Sequence, residues 1–95
     1  MAAKEGTMIE AIRDLKLGES FVRVRRHDFS RGPLRKGDMN KMLTTLRNGM
    51  QPTVARASAA TGNTYTVETV VAHTRAHVPL ALLIVTHVAE AEHGL

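Results

Sequence analysis

The chain has 95 residues, no Cys, 13 Lys and Arg against nine Asp and Glu, and a formal net charge of +4. This length suits a single domain, residues 1–95, and we expect frayed ends at residues 1–6 and 90–95. The lack of Cys excludes disulfides and thiolate metal sites, and the longest apolar run, Val78 to Val85, is far shorter than the roughly 20 residues that span a bilayer. We therefore expect a soluble protein of the cytoplasm.

The positive charge is concentrated in the middle of the chain. Between Phe21 and Arg56 lie nine Lys and Arg but only two Asp, a net charge of +7, whereas residues 1–20 sum to −1 and residues 57–95 to −2. A compact surface with this charge attracts polyanions, and nucleic acid is the commonest polyanionic partner of a small soluble protein. The charge pattern predicts nucleic-acid binding.

The first predicted element is a helix. Thr7, Met8, Ile9 and Glu10 form a capping-box sequence, which predicts that the helix begins at Met8. Met8, Ile12 and Leu15 then share one stripe, and Gly18 is placed to end the helix.

A strand is predicted from Ser20, where the apolar period changes to two. Val22 and Val24 share one side, and Phe21, Arg23 and Arg25 share the other, so the strand has one solvated basic side. If Phe21 points outward with the arginines, it can stack on an unpaired base, as in single-strand binders. We favour the alternative in which Phe21 or Phe29 is buried under the loop that follows.

A basic loop and a second helix come next. Residues 28–37 contain two Gly, one Pro and three Arg or Lys without periodicity, which predicts a loop. Asp38 is predicted to cap a helix that stops at Asn48-Gly49. Its apolar positions follow helical spacing: Met39, Met42, Leu43, Leu46 and Met50.

The segment Gln51 to Thr61 is ambiguous. Pro52 suits a first helical turn, the segment is rich in Ala, and Gly62-Asn63 suits a helix end, so we favour a third short helix. The competing interpretation is a strand over residues 53–58 that enters a hairpin.

Two strands, residues 64–73 and 80–89, are predicted to form a hairpin around Arg75 to Pro79. In the last strand Leu80, Leu82 and Ile84 share one side, and Leu83 and Val85 share the other. A strand that is apolar on both sides belongs in the middle of a sheet or at a subunit interface, so we expect a homo-oligomer, most simply a homodimer.

The segment Arg47-Asn48-Gly49-Met50-Gln51-Pro52-Thr53-Val54-Ala55-Arg56 is similar to the entry of many recognition helices in winged helix-turn-helix DNA-binding domains. The order of elements over residues 7–89 also resembles that family. The resemblance implies an α+β fold, a small winged-helix-like domain (α-β-α-α-β-β) with a three-stranded antiparallel sheet. A first helix followed by Leu-Lys-Leu-Gly-Glu-Ser-Phe, residues 15–21, looks like the start of small bacteriophage gene products, for which the location is the host cytoplasm.

The resemblance also implies the contact residues. Gln51, Thr53 and Arg56 would face bases or nearby phosphates, and Arg75 would lie on the wing. The simpler alternative for the first three is a solvated helix start. The remaining basic residues would hold phosphate: Arg23, Arg25, Arg26, Arg31, Arg35 and Lys36.

We expect no enzymatic activity, because the sequence has no Cys nucleophile, no Gly-rich phosphate loop and no paired-carboxylate motif. No cofactor or metal is expected; His73 and His77 have a spacing that suits metal on a helix, but they lie in a β-rich segment. The expected function is that of a small phage-type regulator of transcription or replication that binds DNA, duplex or single-stranded. The alternative is a basic module that docks on an acidic surface of a host protein such as RNA polymerase.

Overall fold

A computed structural model describes residues 5–91 of the chain. The helices are α1 (Glu5–Arg13), a short 3-10 helix (Phe29–Arg31) and α2 (Asp38–Thr61), and the strands are β1 (Ser20–Arg26), β2 (Thr64–His73) and β3 (Pro79–Ala89). The predicted α+β class and three-stranded antiparallel sheet are confirmed. Of the ends expected to fray, residues 1–4 and 92–95 lie outside the described residues.

Helix α1 is displaced from its predicted bounds. It begins at Glu5 rather than Met8, so Thr7 lies inside the helix instead of capping it, and it ends at Arg13. Gly18 lies in the connection to β1 with a φ of +87°. Its amide donates a hydrogen bond of 2.8 Å to the carbonyl of His87, which fixes the entry to β1 against β3.

Strand β3 is the middle strand of the sheet, as its two apolar sides predict. The order is β1-β3-β2, and both pairs are antiparallel. Val24 of β1 and Val70 of β2 both stand opposite Leu82, and Val22 and Glu68 both stand opposite Ile84. Because side chains alternate along a strand, these residues share one face of the sheet.

The hydrophobic core lies on the other face, under α1 and α2. Its buried members are Ile12, Leu46, Met50, Val54, Ala57, Ala81, Leu83 and Val85. The three β3 residues in this set are fully buried, and they alternate with Leu80, Leu82 and Ile84. We call the face toward the helices the helix side and the opposite one the outer face; within residues 5–91 no helix covers the outer face.

Residues 38–61 form one continuous helix, so the stop predicted at Asn48-Gly49 is wrong, whereas the helical interpretation of residues 51–61 is confirmed. Pro52 lies inside α2, where a proline costs about 3 kcal/mol through its missing amide hydrogen and its clash with the preceding turn. The stripe of Leu46, Met50, Val54 and Ala57 continues past Pro52 onto the sheet, and this burial offsets the cost of the proline.

The N-cap of α2 is Gly37 rather than Asp38. The Asp38 carboxylate instead accepts a 2.7 Å hydrogen bond from the amide of Arg35. None of the helices in the described part of the chain is long and apolar enough to cross a membrane.

Candidate functional site

An open groove of about 560 Å³ runs along the helix side of β1. It exists because α2 packs over β2 and β3 and leaves the helix side of β1 largely uncovered. Residues from α1, β1 and α2 line it: Met8, Arg23, Val24, Arg25, Thr45, Leu46, Gly49 and Met50. We call this feature the groove.

Two arginines supply the charge of the groove. Arg23 and Arg25 are two residues apart on one strand, so both project to the helix side, and both are exposed. The guanidinium of Arg23 also contacts the sulfur of Met8, another residue of the groove lining. Within residues 8–91 neither arginine forms an ion pair with a carboxylate, so both can bind an anion.

Gly49 leaves the α2 wall of the groove open. A Cβ built at this position would meet no atom within 4 Å, and the residue has an ordinary helical φ. An incoming chain can therefore approach the helix backbone closely, beside the hydroxyl of Thr45. The local sequence pattern predicts a helix stop at Gly49 and an apolar stripe position for Met8, and it indicates nothing for Thr45, because only the packing of α1 and α2 over the sheet brings the three residues together.

A second basic region adjoins the groove at one end of the sheet. Arg26 stands opposite Leu80, beside the β2–β3 turn that carries Arg75. The loop of residues 27–37 leaves β1 at the same end. The basic residues of this region are all exposed: Arg26, Arg31, Arg35, Lys36 and Arg75. We call these five residues the basic end.

The acids of the basic end are used in local structure. Asp28 caps the 3-10 helix by accepting hydrogen bonds from the hydroxyl and the amide of Ser30, at 2.5 and 3.0 Å. The Ser30 hydroxyl, followed by its amide, holds the pKa of Asp28 below its usual value. Asp28 also forms an exposed ion pair with Arg31 at 3.7 Å. Asp28 and Asp38 therefore shape the loop while the region stays strongly positive.

The two phenylalanines have opposite environments. Phe21 is half-buried, as the favoured alternative expected, but it packs against the core on the helix side and not under the loop, so it is not placed to stack on an unpaired base. Phe29 is 51% exposed, with its ring 4.7 Å from that of His27 in an edge-to-face arrangement. Phe29 thus presents an exposed aromatic ring on the 3-10 helix that also carries Arg31.

The structure does not bring together the three residues that the winged-helix resemblance assigns to base contact. Thr53 is 1% exposed and faces the core, so its predicted contact with nucleic acid is wrong. Gln51 and Arg56 are exposed on α2. A recognition helix enters the groove of DNA after a turn, and α2 is continuous where that turn was expected.

The histidines lie at structural positions. His73 ends β2 and His77 occupies the following turn with a φ of +62°, so the pair does not share a helix. Among the described residues, no group of three His, Asp or Glu is placed to hold a metal ion. His87 is 2% exposed, and its ring nitrogens Nδ1 and Nε2 lie 2.9 and 3.1 Å from the carbonyl oxygens of Leu15 and Ala89.

The fold and this site define a small α+β domain that presents an arginine groove between a sheet edge and a two-helix layer. A family model described as a domain of unknown function, DUF7609, matches residues 6–89, so the chain belongs to the DUF7609 family. No curated protein and no solved structure matches the chain.

Proposed function

We propose that this protein is a non-enzymatic nucleic-acid-binding protein that holds the phosphate backbone of DNA in the groove and at the basic end. The observation that carries the proposal is the pair Arg23 and Arg25, side by side in an open groove with no carboxylate among its lining residues. In a cell such a protein fits the role of a small regulator of transcription or replication, of the kind that phages encode.

Electrostatics supports a polyanion over a small ligand. The basic end continues the groove past Arg25, so the positive surface is longer than a single phosphate needs. Backbone contacts of this kind position a protein on nucleic acid without reading its sequence. They also release counterions, which makes binding fall steeply with salt.

The mode of binding follows from Phe29. An exposed aromatic ring in a basic loop is a stacking platform for an unpaired base, and such stacking contributes about 1–3 kcal/mol per base. A duplex has no unpaired base to offer, so a contribution from Phe29 favours single-stranded DNA. Phe29→Ala should weaken binding to a single-stranded oligonucleotide and leave binding to the matching duplex unchanged.

The test is a salt titration of DNA affinity with a charge-matched control. Each phosphate contact contributes about −0.9 to the slope of log K against log salt on a duplex and about −0.7 on a single strand. The double variant Arg23→Ala, Arg25→Ala should therefore have a shallower slope, by the contribution of about two phosphate contacts. The control, Arg13→Ala with Lys16→Ala, removes the same charge at α1 and in the loop after it, and should leave the slope unchanged.

Three results would contradict the proposal. Binding that is absent at low salt, or that does not depend on salt, removes nucleic acid as the partner. Equal losses in the groove pair and the control pair would show that net charge rather than the groove sets affinity. If a stoichiometric protein is recovered after nuclease treatment while naked DNA does not bind, the basic surface belongs to an acidic protein partner instead.

A further inference from the structure

We infer that the outer face of the sheet is the interface for a second copy of this chain, and that the protein forms a back-to-back dimer. The apolar members of this face come from all three strands: Val22, Val24, Val70, Ala72, Leu80, Leu82, Ile84 and Val88. Four valines among them are 40 to 52% exposed. Large contiguous apolar surfaces of this kind mark interaction sites.

The charge of the outer face favours a second copy of this chain as the partner that packs on it. The face carries one positive residue, Arg26 on β1, and one negative residue, Glu68 on β2. Arg26 lies where this face meets the basic end, and the groove and the rest of the basic end are strongly basic, so two copies repel each other there. The outer face is locally neutral, and two copies can meet on it without bringing like charges together.

A two-fold arrangement keeps the two charged residues of the outer face, Arg26 and Glu68, apart. The two residues lie on opposite edge strands, with β3 between them. When a second sheet is rotated by 180° about an axis parallel to the strands, its β2 lies over the first β1. Arg26 stands level with Leu80 and Glu68 level with Ile84, about 14 Å apart along the strands, so the two charges do not pair and the isologous contact is made by the apolar side chains.

The size of the face is sufficient for a reversible dimer. Strands spaced about 4.8 Å apart with a rise of about 3.4 Å per residue give three strands of this length a projected face of roughly 450 Å². Two copies then bury on the order of 1,000 Å² in total, the lower limit for a specific interface and below the roughly 1,200–2,000 Å² of stable ones, which suits a reversible dimer. Stacked sheets lie about 10 Å apart, so the dimer is a six-stranded sandwich with both β3 strands at its centre.

The test uses adjacent residues on β2 that differ in the side they occupy. Val70 lies on the outer face and is 40% exposed, and Val71 lies on the helix side and is 39% exposed. Light scattering should give the wild type a mass near twice 10.4 kDa at micromolar concentration and above. Val70→Asp should halve that mass with an unchanged circular dichroism spectrum, whereas Val71→Asp should remain a dimer.

Three outcomes would overturn the inference: a wild type that is monomeric at every concentration, which would assign the face to another occupant; a Val70→Asp variant that stays dimeric; or equal loss of the dimer in both variants. The inference is independent of nucleic-acid binding, because all measurements are made without DNA. The Arg23→Ala, Arg25→Ala variant should remain a dimer, so failure of one proposal is distinguished from failure of the other.

Discussion

The two faces of the sheet are built from the same three strands and have opposite characters. On the helix side, Leu83 and Val85 are fully buried, while Arg23 and Arg25 occupy the groove at the edge of the same surface. On the outer face, Val22 and Val24 are about half exposed. In β1 the arginines thus lie toward the helices and the valines away from them, the reverse of the usual arrangement. Whether a side chain of this sheet is buried depends on whether a helix covers it, and not on the residue type alone.

The largest expected effect comes from placing the same charge on either face of β3. Leu83→Asp buries an unpaired carboxylate in the core, which costs several kcal/mol, and should unfold the chain. Leu82→Asp puts the carboxylate on the outer face and should give a folded monomer. Circular dichroism with thermal melting and light scattering compare the two, and an unfolded Leu82→Asp variant would show that the outer face is part of the folded core.

A smaller loss of stability is expected when His87, a buried polar residue on the helix side of β3, is replaced. His87→Leu removes the ring that faces the carbonyls of Leu15 and Ala89, at a cost of about 1–3 kcal/mol. For a domain of this size that lowers Tm by roughly 5 to 20 °C. His73→Leu, on an exposed histidine at the end of β2, is the matched control and should melt within a degree or two of the wild type. A stable His87→Leu variant would mean that these hydrogen bonds contribute nothing.

Arg25 and Arg26 are adjacent in sequence but lie on different sides of the sheet. Replacing each in turn therefore compares the two faces by their effect on DNA binding. Arg25→Ala removes a groove arginine and should reduce the salt slope by about one unit, with a similar loss on every DNA sequence. Arg26→Ala should have the smaller effect on the slope, because its side chain projects from the outer side. Equal effects would place the DNA across the end of the sheet rather than in the groove.

The smallest expected effect is a gain in the stability of α2. Gly49→Ala should stabilise α2 by about 0.5–1 kcal/mol, because a helical glycine is entropically costly and its Cβ would meet no atom. The same methyl group narrows the groove, so DNA affinity should fall although the protein becomes more stable. Asn48→Ala, one residue earlier on α2, lines a different pocket and is the control for a purely helical effect. Unchanged affinity in Gly49→Ala would show that DNA does not approach the helix there.

The sequence predicts which residues of a strand share one side, but it does not predict which side faces the helices. Alternation in β1 correctly groups Arg23 with Arg25 and Val22 with Val24, since the period of a strand is local. Which group faces the helices depends on where α2 crosses the sheet, and no local pattern encodes that. The apolar positions of α2 keep helical spacing through Met50, Val54 and Ala57, and this continuity outweighs the Asn48-Gly49 and Pro52 signals that predicted a break. The exposure of Phe29, which we expected to be buried if Phe21 was not, is unpredictable for a similar reason, because the exposure of a loop ring depends on the fold of the loop.

The position of the arginines on the helix side has a consequence for what a dimer can do with DNA. When two copies pack through their outer faces, their grooves lie on opposite sides of the sandwich and point away from each other. Such a dimer cannot place both grooves on neighbouring half-sites of one duplex face, as a symmetric repressor does. If the proposed dimer and the proposed DNA binding both hold, we expect each groove to take a separate stretch of nucleic acid, so that the dimer bridges or loops the DNA.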